Sequence, residues 1–197
     1  MPRIVDHDAR RLKVVASAWR VIERVGVENV TLRDIADDLG CSIGSLVHYF
    51  RNKDDLLGFA FQQVSERAFE GIEEKAAKAT PGLERLRISL ERLLPSGSGR
   101  EAGTLVSLSF WGHAATNPRL ATIHRAAYGR WRGLVRKYLK EAITAGQIAK
   151  DTDLDATGAA LISLVDGLLV AQTLEPQRFP KSMPKKVLNA MLEKLLT

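Results

Sequence analysis

Apolar residues recur at three- and four-residue steps along the whole chain. No stretch alternates apolar with polar as a half-buried strand would. The expected architecture is all-α. Leu12, Val15, Ala16, Trp19 and Ile22 form the first stripe, on a helix that Asp8 can cap and Gly26 ends. Thr31-Leu-Arg-Asp34 is a capping-box variant, with Asp in place of Glu, that opens a short second helix ending at Gly40. Ser42 caps a third helix, expected to run to about Phe50. A long fourth helix starts at Asn52-Lys53-Asp54-Asp55, where the acidic residues complement the helix dipole, and continues to about Ala79.

Pro81 fits the first turn of a fifth helix that ends near Leu94. Pro95-Ser-Gly-Ser-Gly99 reads as a loop. Residues 101–116 form an apolar helix closed by Asn117-Pro118, and a long helix over 119–145 closes at Gly146. Asp153 caps an apolar helix to about Leu174, and 184–196 is a last amphipathic helix. The expected plan is an N-terminal three-helix head, residues 1–51, joined by a long helix to a larger helical lobe, residues 52–197.

Residues 31–50 carry the sharpest signal: two short helices about the tight turn Leu39-Gly40-Cys41-Ser42. Gly40 supplies the positive φ such a turn needs. Ala36 is small where the helices must approach. Ile35, Leu39, Leu46 and Phe50 are expected inward, against Trp19 and Ile22. Ser42, Ile43, Gly44, Ser45, His48 and Tyr49 remain outward. That face is small and polar at its N-terminal end, the end a recognition helix presents to base edges. His48, Tyr49 and Lys53 can reach phosphates, as can the backbone N–H groups at Thr31 and Ser42. A plain helical hairpin at the edge of a bundle has the same pattern.

The order of residues separates the two. Thr31-Leu-Arg-Asp-Ile-Ala36, Leu39-Gly40, Ser42-Ile-Gly44-Ser-Leu46, His48-Tyr49-Phe50 and Lys53-Asp-Asp-Leu-Leu57 resemble the TetR family of transcription regulators over about residues 10–58. The resemblance implies a phosphate contact from Thr31, major-groove entry by Ser42, Ile43, Gly44 and Ser45, and phosphate contacts from His48, Tyr49 and Lys53. Val47 departs from the family, where many members carry an aromatic residue, and receives no contact.

Residues 100–175 resemble the choline-responsive BetI subgroup, through Phe110-Trp111, Asn117-Pro118, the basic long helix and Ala159-Ala-Leu-Ile162 with Asp166-Gly-Leu168. A quaternary ammonium wants aromatic faces or a carboxylate. Phe110, Trp111, Tyr128 and Trp131 are the candidate aromatics and Asp166 the candidate counter-charge, each weighed against a plain core role. On the long helix Ala127, Trp131, Val135 and Tyr138 share one stripe, and Arg125, Arg132, Arg136 and Lys140 another. The helix near 154–174 is apolar nearly all round and needs cover on every face. The resemblance implies that these two helices build a dimer.

Composition narrows the alternatives. The 197 residues are 45% apolar with a formal net charge of +6, which suits a packed globular chain. The charge is +2 over residues 1–53 and +7 over 100–150, so charge alone would place a nucleic-acid site in the wrong segment. One cysteine, Cys41, excludes a disulfide framework, and the four histidines lack ligand spacing. No metal or cofactor is expected. The polar N-terminus has no signal-peptide core, and the longest apolar run is broken by Asp166 and two glycines, so no membrane partner is expected and the location reads as cytoplasmic. The expected function is a homodimeric repressor on a palindromic double-stranded DNA operator, released by a small-molecule inducer. An enzyme built on His113 and Asp166 lacks a nucleophile beside them. An interaction module using the basic stripe is the third reading.

Overall fold

The computed structural model describes residues 7–26, 29–94 and 101–195, with the side chains of residues 7–11, 23, 101 and 102 left aside. Nine helices are found among the described residues: α1 His7–Val25, α2 Leu32–Leu39, α3 Ile43–Val47, α4 Lys53–Ala77, α5 Leu83–Glu91, α6 Glu101–Thr116, α7 Pro118–Thr144, α8 Leu154–Leu174 and α9 Met183–Glu193. The Asp8 cap and the 95–99 loop lie outside the described residues. The chain divides into two compact units, residues 1–63 with 105–123 and residues 64–104 with 124–197. The divisions fall inside α4, near the start of α6 and inside α7.

In the first unit Ile35, Ala36, Leu46 and Phe50 are buried, with Ile22, while Leu39 and Trp19 are only half-buried. The buried stripe of α1 is Val14, Val15, Ala18, Val21 and Ile22. Leu12 and Ala16 are exposed, contrary to the expected stripe. The cause is Ser17. It is fully buried, and its hydroxyl lies 3.4 Å from the Ile35 carbonyl and 2.6 Å from the Asp38 carboxylate, which turns α1 toward α2. The Ser17 hydrogen bond, then the Arg20 guanidinium, hold the Asp38 carboxyl below the usual range.

The second unit packs Phe69, Ile72 and Ala76 of α4, Leu86 and Leu90 of α5, Trp131, Val135 and Leu139 of α7, Leu161 and Val165 of α8 and Leu188 of α9 into one core. Helix α5 begins at Leu83 rather than at Pro81. Gly82 has φ +93°, and a Cβ there would fall 2.1 Å from the Gln147 Oε1 that accepts the Leu83 N–H. Positive φ and the absent side chain are both required, so the helix cannot start earlier.

Asp153 caps α8 through the N–H groups of Asp155 and Ala156. By length and a mean hydropathy of 1.7, α8 is apolar enough to cross a membrane, but one side of it lies in this core. Its other side exposes Ala156, Ala159, Ala160, Ser163, Gly167, Val170 and Leu174, one continuous stripe at helical spacing. Helix α7 exposes Ala126, Gly129 and Gly133 in the same manner, with open space beside both glycines.

Candidate functional site

The turn between α2 and α3 is built locally. Thr31 Oγ1 accepts the Asp34 N–H at 3.2 Å, and Asp34 Oδ2 accepts the Thr31 N–H at 2.9 Å and its hydroxyl at 2.5 Å. These bonds hold the Asp34 carboxyl below its ordinary range. Gly40 ends α2 at φ +63°, and its N–H and that of Cys41 return to the Asp37 and Ala36 carbonyls. Ser42 caps α3, its hydroxyl accepting the Ser45 N–H at 3.2 Å and lying 3.0 Å from the Ser45 hydroxyl.

Helix α3 ends at Val47, so His48 and Tyr49 stand in the turn that follows rather than on the helix. Of the residues expected outward, Ser42, Ile43, Gly44, Ser45 and His48 are exposed, Tyr49 is only half-buried, and Val47 joins the exposed face. Lys53 is half-buried. Gly44 is informative. Its φ is not positive, and a Cβ there would meet only the Ser42 hydroxyl, at 3.8 Å. Neither backbone strain nor internal packing calls for glycine at that point.

The start of α4 is anchored by a polar cluster that sequence reasoning missed. Asn52 Oδ1 accepts the Asp55 N–H, and Asp55 accepts the Arg51 N–H and pairs with Arg119. Asp54 holds His113 Nδ1 at 3.1 Å with one oxygen and accepts Asn117 Nδ2–H at 2.9 Å with the other. Asn117 Oδ1 meanwhile caps α7, accepting the Arg119 N–H at 3.0 Å. Asn before Pro at the first helical position was the available signal.

The aromatic candidates fall in both units. Phe110 is fully buried in the first, stacked on Phe61 at 3.9 Å, and Trp111 beside it is half-buried. Tyr128, Trp131 and Asp166 come together in the second. The Tyr128 hydroxyl donates to Asp166 Oδ1 at 2.9 Å. His124 stacks on the Tyr128 ring at 4.1 Å and Trp131 meets it edge-on at 5.6 Å. Burial raises the Asp166 carboxyl to about 6 against the lowering effect of the Tyr128 bond. Burial, then the Asp166 charge, pushes the Tyr128 phenol well above its ordinary value. Burial, with Arg132 and Arg125, pushes His124 down. Trp131 is 3% exposed, and among the described residues neither its Nε1–H nor the buried Gln172 Oε1 has a hydrogen-bond partner. The result is a desolvated carboxylate beside aromatic faces, with a spare donor and a spare acceptor in the same unit. Among the described residues no cluster of three or more His, Cys, Asp or Glu could hold a metal.

Comparison with known proteins bears on both sites. Residues 14–58 match the family described as bacterial regulatory proteins, tetR family, and residues 82–197 match the BetI-type transcriptional repressor C-terminal domain. The HTH-type transcriptional regulator PksA of Bacillus subtilis is 30% identical over 99% of this chain and 94% of its own length. The HTH-type transcriptional regulator BetI of Vibrio parahaemolyticus is 26% identical over 100% of this chain and 97% of its own. A crystal structure of a transcriptional regulator from Saccharomonospora viridis, in complex with choline, superposes with a TM-score of 0.87 at 26% identity, covering 96% of this chain and 98% of that one.

Proposed function

The chain belongs to the TetR family of bacterial transcriptional regulators, with a BetI-type repressor lobe, and from that premise we propose a homodimer that holds a palindromic operator and releases it when a small cation enters the lobe. The regulator, not an enzyme, is the reading the family supports. The observation that carries the DNA half is Gly44, a glycine the fold does not require, on the exposed face of a capped helix in a helix-turn-helix. Close approach of the backbone to a groove is what such a position provides.

Residues 1–51 form the DNA-binding head and 52–197 the ligand-binding and dimerisation lobe. Ser42, Ile43, Gly44 and Ser45 enter the major groove, and His48, Tyr49 and Lys53 take phosphates. Thr31 takes a phosphate once its hydroxyl turns away from Asp34. The operator places the working protein in the cytoplasm.

Tyr128, Trp131 and Asp166, which meet within the second unit, supply the cation site, whereas Phe110 packs on Phe61 in the first. An ammonium group would restore the interaction that burial denies Asp166, and the aromatic faces would cover its methyl groups. A second copy of the chain covers the small-residue stripes of α7 and α8, which let helices approach closely. Two heads then meet two half-sites, and ligand binding alters their separation.

Gel-shift titration against the DNA upstream of its own gene tests the first half. Specific retardation that competitor DNA leaves intact is expected, and its absence overturns the reading. Thermal shift with choline as the probe tests the second. Choline at about a hundred times its Kd stabilises by roughly 2.7 kcal/mol, and its neutral carbon isostere by much less. Equal effects of the two would remove Asp166 from the role.

A further inference from the structure

Base edges are usually read by long polar side chains. Arg or Lys pairs with guanine, and Asn or Gln with adenine. Helix α3 offers none of these. Between residues 42 and 47 its side chains are Ser, Ile, none, Ser, Leu and Val. Leu46 is buried. The two serines face each other, one hydroxyl oxygen taking the Ser45 N–H and one hydroxyl proton shared between them, so much of their capacity is turned inward. What stands out from the helix is Ile43, 43% exposed, and Val47, 45% exposed. They are four residues apart and so share a face. Gly44, also exposed, lies between them with nothing beyond Cα.

We propose that Ile43 and Val47 read the C5-methyl groups of thymines, so that the operator half-site is specified by apolar contact at two thymines rather than by bidentate hydrogen bonds. The inference rests on the DNA-binding reading above and adds the base chemistry it selects. Of the four bases only thymine presents a methyl group in the major groove. The missing side chain at Gly44 lets the backbone come down until the branched side chains on either side touch the groove floor. The rise from Ile43 to Val47 is about 6 Å, and a base step is about 3.4 Å per strand. The two thymines therefore lie on the order of two steps apart. An aromatic side chain at 47 would span further and reach past the methyl. Valine is short enough to end on it.

The test uses the full-length dimer and an operator obtained by selection from random duplexes. Each thymine is replaced in turn by deoxyuridine, which keeps the base pair and deletes only the methyl. Fluorescence anisotropy at fixed salt reads the affinity. Two positions in each half-site are expected to weaken about fourfold each, the value of one buried methyl-sized group. Ile43→Ala should abolish the sensitivity at one of them and Val47→Ala at the other, with both variants still binding. A flat uracil scan overturns the inference, as does a scan whose sensitive positions are unchanged in both variants. Failure of the wild-type protein to select any operator overturns instead the DNA-binding reading on which it rests.

Discussion

The Tyr128 hydroxyl reaches from α7 to Asp166 on α8 at 2.9 Å, and yet burial wins at that carboxyl and lifts it to about 6. One hydrogen bond does not replace the water that a carboxylate loses, so the ionised form is destabilised in the folded state.

A stability signature follows from that balance. The folded value is above the unfolded one of 3.8, so between them the native state binds more protons and stability falls as pH rises. The loss is complete above about pH 6. At full burial it amounts to about 3 kcal/mol, and for a carboxyl that still touches solvent to about 1–2 kcal/mol. Asp166→Asn keeps an acceptor for Tyr128 and removes the charge. Urea denaturation is expected to show the variant more stable by that amount at pH 8, with the difference shrinking toward pH 4. The comparison is made between the two proteins because His124, pushed down by burial, contributes an opposite slope below pH 6.5 to both. A pH-independent difference would mean the carboxyl is not desolvated.

Asn117 serves two partners at once, capping α7 with its oxygen and holding Asp54 with its nitrogen. Asn117→Ala loses both and should cost about 1–2 kcal/mol. Asn117→Ser keeps a capping oxygen and should recover about half of that, lacking only the bond to Asp54. Denaturant midpoints at unchanged m-value measure it. Equal losses in the two variants would mean the cap contributes nothing.

Gly44 and Lys53 should separate close approach from charge. Gly44→Ala meets no steric obstacle among the described residues and improves helix propensity, so the protein should be as stable or more so, by up to about 1 kcal/mol. Specific DNA binding should nonetheless fall at least tenfold. Lys53→Ala should weaken all sequences alike and reduce the salt slope by about one unit. A change of sequence preference in Lys53→Ala, with the slope intact, would reverse the assigned roles.

The parts of this structure legible in the sequence are those fixed by local chemistry. Thr31 with Asp34, Gly40 and Ser42 each specify a cap or turn within four residues, and the structure has them as read. The face of α1 was misread because its apolar residues fill more than one stripe, and the choice among them is made by Ser17 and Asp38, 21 positions apart. Still greater separations in sequence hid the pairing of Tyr128 with Asp166 and of Asp54 with His113 and Asn117. The start of α5 was misplaced because Gln147, not Pro81, decides it. Long-range polar partners leave no periodicity behind them.

Assembly offers the sharpest contrast between two neighbouring positions. Ala160 lies on the exposed stripe of α8, whereas Leu164, one turn on, packs against the core of its own unit. From sequence either could face a partner chain. The structure separates them. Ala160→Glu leaves the protomer's core untouched and, in the proposed dimer, sets a carboxylate from each copy into the α8 contact, each desolvated at a cost of several kcal/mol. Sedimentation should find a monomer at micromolar concentration, circular dichroism an unchanged helical signal, and gel shift a loss of operator binding. Leu164→Glu buries its charge within the lobe and should lower the melting temperature before it alters assembly. Leu174, 72% exposed at the far end of the stripe, is expected to follow Ala160 when changed to Glu. A wild-type chain that sediments as a monomer with and without operator DNA would remove the second copy from this face, and with it the two-headed grip on a palindrome.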